Sequence, residues 1–218
     1  MGPSLESLLT REVPGGEAAR ARALAAAREE LARMPRTRPW RHEALRMFAV
    51  PVGLSLAVLG VMALVGATSL DLVLARAPGL LLLWATAGVC AWAALAPRGR
   101  GLALAASLLA LGAAVTLVAS RGAGAGSSSP EWLCTVSHVG VALVPGVVAL
   151  LALRSAAFKP RRALLAGLSV GTAGAFVGEL ACEQGATHVL RYHLSAWALA
   201  ALATLVVSRL LPPRSFAP

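Results

Sequence analysis

Apolar residues along this chain gather into runs of about 20, the length that crosses a bilayer as a helix. Short gaps between the runs collect the charges, prolines and glycines. Six runs stand out, at residues 47–66, 77–96, 101–119, 133–153, 163–182 and 194–213. The gaps hold Asp71 and Arg76, then residues 97–100, then 121–131 with a Gly/Ser run, then 154–162 and 183–193. The pattern predicts an all-α polytopic membrane protein with six transmembrane helices and a short helical tail before them. Residues 1–43 form the tail, 44–213 the transmembrane domain and 214–218 a C-terminal end. A cleavable signal peptide is not expected, because the first 43 residues are polar and the first run is late and long for an h-region.

Composition supports this division. Of 218 residues, 57% are hydrophobic and only 14% charged, against about 25% charged in soluble domains. Too little polar surface exists to wrap a globular core. The formal charge of +10 would suggest nucleic acid in a soluble protein, but its distribution gives another reason. Lys and Arg number nine up to residue 46, two in the second gap, four in the fourth and two at the C-terminal end, seventeen on one side. The other side has Arg76, Arg121 and Arg191. The positive-inside rule then places both termini in the cytoplasm of an inner-membrane protein, with the lipid bilayer as its surroundings and no direct nucleic-acid binding.

The tail is the only sizeable polar segment. Between Pro14 and Pro35 it is rich in Ala, Leu, Arg and Glu, which favour helix. Leu24, Ala27, Leu31 and Met34 make a narrow apolar stripe, preceded by Leu5, Leu8 and Leu9. A tail this short cannot build its own core. Its apolar residues therefore either rest on the membrane or lie in a partner's groove, and Leu5, Leu8, Leu9, Leu24, Leu31 and Met34 are the partner-binding candidates. Five arginines from Arg33 to Arg46 read as an anchor on anionic lipid.

The remaining chemistry concentrates at the opposite side. Cys90, inside the second run, reads as a small buried hydrophobe. Cys134 opens the fourth run and Cys182 closes the fifth, with His138 one turn after Cys134. Glu179, Glu183, His188 and His193 gather at the next junction. Cys134, Cys182, His138, His188, His193 and Glu183 are thus candidates for sensing a redox or metal signal. Three arrangements fit them: a Cys134–Cys182 disulfide, allowed by an oxidising compartment; a thiolate/imidazole metal site from Cys134, His138, Cys182 and His188 or His193; or interfacial side chains that hydrogen-bond one another. No other cofactor is expected. Gly167, Gly171, Gly174 and Gly178 repeat G-x-x-x-G on one helix face, which suits close approach by a neighbouring helix of the same chain. Pro51 and Pro145 are expected to kink their spans. No span holds a Lys, no acid sits mid-span, and P-loop, H-E-x-x-H and C-x-x-C motifs are absent, so no enzyme is expected.

The stretches Trp132-Leu-Cys134, Gly178-Glu-Leu-Ala-Cys182-Glu183 and His193-Leu-Ser-Ala-Trp197 resemble the NrsF-type six-helix membrane anti-sigma factors. The tail LTREVPGGEAARARALAAAREELARM is similar to that of the CarR-like light-regulatory anti-sigma factors of carotenoid operons. This resemblance implies that the tail sequesters an extracytoplasmic-function sigma factor and releases it on a stress, light or oxidant signal. In the NrsF-type proteins a cysteine pair is implicated in the response to metal or oxidants, which maps to Cys134 and Cys182. The competing reading is a membrane metal or redox protein that uses the Cys/His cluster without a transcriptional partner.

Overall fold

The computed structural model describes residues 16–33, 40–97, 100–122, 130–154 and 158–211. Seven helices and no strand occur among them: α1 (Gly16–Arg33), α2 (Trp40–Leu64), α3 (Leu70–Leu95), α4 (Arg100–Ala119), α5 (Trp132–Leu153), α6 (Pro160–Ala181) and α7 (Ala186–Leu210). Helices α2 to α7 are each long and apolar enough to cross a membrane, so the chain is a multi-pass membrane protein.

Helix α1 belongs to a unit of its own, residues 1–37. Its described side chains past Gly16 are exposed, Leu24 among them at 50%. Leu5, Leu8, Leu9 and Met34 lie outside the described residues, as does the side chain of Leu31 and the end at 214–218.

In the second unit α6 is the central helix and packs against α2, α3, α4, α5 and α7. Its apolar stretch is 83% buried, whereas the other five spans bury 17–33% of theirs. Small residues make this density attainable. Toward the end where α2 begins, Ala44, Ala91, Ala94, Ala103, Ala106, Ala149 and Ala166 form the core with Met47, Cys90 and Leu165. Toward the other end larger side chains fill it, with Leu80, Leu83, Leu117, Phe176, Leu180 and Trp197 and Trp84 stacked on Phe176 at 5.2 Å. Leucines and valines such as Leu56, Leu81, Leu108, Leu143 and Leu202 cover the outside, as a lipid-facing surface requires. Pro51 and Pro145 are buried inside continuous helices.

Several helix boundaries differ from the hydropathy pattern. Helix α2 begins at Trp40, so residues 40–43 continue into the first span rather than ending the tail. It stops in a Schellman turn, with Gly66 at φ 72, Gly66 N–H on Ala63 O and Ala67 N–H on Met62 O. Helix α3 starts at Leu70 instead of Ala77, because Ser69 caps it by accepting from Leu72 N (3.2 Å) and Asp71 occupies the first turn. Arg76 is therefore a helical residue, not a loop charge. The last span is Ala186–Leu210, ahead of the expected 194–213. It takes His188, Arg191 and His193 into the helix and ends before Pro212, which cannot continue it.

Candidate functional site

Cysteines and histidines converge where α5 begins, α6 ends and α7 begins. On α5, Cys134 and His138 are four residues apart and share a face; His138 Nδ1 donates to the Cys134 carbonyl at 2.7 Å. A carbonyl only accepts, so this bond fixes the proton on Nδ1. On α6, Cys182 follows the last turn and its N–H bonds Gly178 O at 3.1 Å. After the four-residue connection 182–185 the chain enters α7, which supplies His188 and His193.

The two histidines are brought together by a local irregularity. Five residues in an α-helix turn the chain by about 500°, which leaves positions i and i+5 on different faces. Residues Val189–Leu194 are a π-helix, whose i→i+5 bonds make five residues roughly one turn. His188 and His193 consequently present their rings together, with centroids 5.2 Å apart, and His138 lies beside His193 at 4.5 Å with its ring tilted by 51°.

One ligand atom from each of Cys134, Cys182, His188 and His193 lies within 4.8 Å of all the others. Cys182, His188 and His193 are buried, and Cys134 is partly exposed at the rim. The two thiols are free. Four buried ring nitrogens have no hydrogen-bond partner among the described residues: Nε2 of His138, Nε2 of His193 and both nitrogens of His188. Glu131 Oε1 approaches His188 Nδ1 only to 3.8 Å. Buried polar atoms are seldom left so.

Glycines of α6 make the space. A Cβ at Gly178 would fall on His138 Cε1 and within 2.8 Å of His193 Nδ1, and one at Gly174 would sit 2.8 Å from the His138 carbonyl. At Gly171 it would strike Trp197, whose indole N–H donates to Leu168 O at 2.7 Å, and at Gly167 it would meet the Ala201 backbone. The stripe thus seats α5 and α7 against α6 within one chain.

Beneath the cluster is a buried ion group. Glu179 receives Arg76 Nη1 on Oε1 and Arg121 Nη2 on Oε2, both at 2.7 Å. Arg121 also donates to the carbonyls of Cys182 and Glu179, so its guanidinium satisfies the open C-terminal end of α6.

No family model matches this chain, and no solved structure does. The carotenogenesis protein CarR of Myxococcus xanthus is 49% identical over 215 residues, covering 98% of this chain and 97% of that protein. The chain belongs to the CarR family. With identity this high from end to end, the six spans and the cluster all lie inside the region matched to CarR.

The grouping from sequence changes in two places. Glu183 is exposed and lies apart from the four converging ligand atoms, because the backbone extends at Cys182 and the side chain beyond it turns outward. His138 contacts the group through His193, but its ring is turned to its own helix's carbonyl, and both His188 and His193 take the positions for which one was expected. Arg76 and Arg121 fall in the gaps of the hydropathy pattern, but the structure pairs both with Glu179. Their signal is arithmetical: two of the three basic residues on that side flank the buried Glu179 in space.

Proposed function

We propose that this chain is a membrane-bound negative regulator of carotenogenesis that acts as an anti-sigma factor. Its tail sequesters an extracytoplasmic-function sigma factor, and a light, oxidant or other stress signal ends the sequestration. The observation that carries this reading is the full-length 49% identity to a carotenogenesis protein. An exposed helix α1 that has no core of its own supports the tail as the binding element. We place the protein in the inner membrane with both termini cytoplasmic, as the Lys/Arg distribution favours. A transcription factor held at the membrane is kept from its promoter, and release requires only that the tail's affinity fall.

The test is capture of a sigma factor by the full-length protein in detergent, compared with a variant lacking residues 1–37. Capture by the full chain and its loss in the deletion support the proposal; failure of the full chain to hold any sigma factor overturns it. A second reading, a metal or redox protein without a transcriptional partner, is favoured by the convergence of Cys134, Cys182, His188 and His193. It predicts that cellular function survives deletion of the tail.

A further inference from the structure

We propose that Cys134, Cys182, His188 and His193 form a four-ligand tetrahedral site for one borderline-soft divalent cation of the zinc class. The inference stands on the bundle alone and is independent of what the tail binds.

Three observations point to it. The first is convergence: four donor atoms from α5, the end of α6 and the start of α7 lie within 4.8 Å of one another. Zinc bonds of about 2.3 Å to sulfur and 2.0–2.1 Å to nitrogen need ligand separations of about 3.3–3.8 Å, so side-chain rotation of an ångström or less closes the shell. The second is the unmet bonding capacity of the ring nitrogens on His188 and His193. Side chains that merely hydrogen-bonded one another would not leave those atoms without a partner. The third is the π-helix at Val189–Leu194, a costly irregularity that turns both histidines to one point.

The donor set selects the ion. Thiolate and imidazole suit zinc-like cations and disfavour magnesium or calcium, which take oxygen ligands. On binding, each of the two thiols loses its S–H proton to solvent and forms a metal–sulfur bond, while the imidazoles coordinate as neutral rings. Two thiolates cancel the charge of a divalent ion. The filled site is then neutral, which suits burial at membrane depth beside the Arg76–Glu179–Arg121 group. The partly exposed Cys134 gives the ion its way in. His138 braces His193 from the side and is not a ligand.

The experiment uses the full-length protein in detergent, reduced and stripped with chelator, then titrated with Co2+ and afterwards Zn2+. One Co2+ per chain is expected, with thiolate-to-cobalt charge transfer in the near ultraviolet and the strong visible bands of tetrahedral cobalt, both lost when Zn2+ displaces it. Alkylation followed by mass spectrometry should show Cys134 and Cys182 protected by Zn2+ and exposed again by chelator. Cys90, buried against Ala106, should stay unreactive throughout and reports that the bundle is folded. Cys182→Ser and His193→Gln should each weaken Zn2+ binding beyond the about 10–100-fold typical of outer-shell changes, while His138→Gln keeps the stoichiometry and the spectrum. The proposal is overturned by reduced wild-type protein that binds no cobalt, by a spectrum without thiolate charge transfer, or by undiminished binding in Cys182→Ser with Cys90 still protected. A Cys134–Cys182 disulfide that persists in protein purified under reductant overturns it as well. Sigma-factor capture is read separately, so failure of the metal site and failure of the anti-sigma reading are distinguishable.

Discussion

His188 and His193 are five residues apart in the sequence and 5.2 Å apart ring to ring, a relationship the π-helix between them favours. It gives the cluster its fourth donor. Around that pair the glycines of α6 leave room for the rings, and Arg121 donates to the carbonyls at the end of α6.

Gly178 is the position most exposed to this crowding. A methyl group there lands on His138 and close to His193, and overpacking of this kind costs about 1–3 kcal/mol. Gly178→Ala should lower the thermal midpoint in detergent and speed alkylation of Cys134 and Cys182. Gly140→Ala, whose Cβ meets nothing within 4 Å, should leave both unchanged. Equal behaviour of the two variants would contradict the packing described.

Glu179 offers a sharper loss. Glu179→Gln leaves the Arg121 guanidinium, 2% exposed, without its counter-charge, and breaking a buried pair costs about 3–5 kcal/mol. Arg76 is partly exposed and contributes less. The double variant Glu179→Gln/Arg121→Gln should be less destabilised than the two singles added together. Denaturant titration of all four proteins measures that coupling, and strict additivity would count against the ion group.

Leu24 tests the tail. Because it is half exposed on α1, Leu24→Gln should leave bundle stability within about 0.5 kcal/mol. Sigma-factor capture should fall by roughly 30-fold if the side chain is an anchor worth about 2 kcal/mol. Unchanged capture would move the binding surface elsewhere in the tail.

Orientation is open to labelling. In intact cells a membrane-impermeant maleimide should add one label to Gly122→Cys and none to Phe158→Cys, since these exposed residues lie on opposite connections. Lysis should open the second site. The reverse pattern would invert the topology argued from the charges.

Hydropathy was enough to find the six helices, because lipid demands long apolar stretches and little else produces them. Charge misled at the edges. Arg76, Arg121, His188 and His193 break the apolar pattern and fall in its gaps, yet Arg76 and Arg121 pair with the distant Glu179, and His188 and His193 lie inside α7 beside residues of other helices. The Ser69–Asp71 start of α3 was readable as a capping signal. The π-helix was not: the residues Val189–Leu194 carry no Gly or Pro to mark it, and the segment packs against α4, α5 and α6, which are distant in sequence. Cys134 and Cys182 could be placed at one level from span ends alone. Which histidines meet them depended on helical phase, which a one-residue irregularity resets.

The central position of α6 bears on how the protein is made. A helix that shows lipid almost nothing, rich in glycine and alanine, gains little by sitting alone in a bilayer. By the time it leaves the ribosome, α2 to α5 have been synthesised and offer it a groove. Only α7 then remains to close the seam, and it brings the two histidines with it. A chain interrupted before residue 186 would leave uncovered the face of α6 at Gly167 and Gly171, which Ala201 and Trp197 of α7 close. Completion of the cluster therefore coincides with completion of the bundle, because the helix that closes the seam is the one that carries His188 and His193.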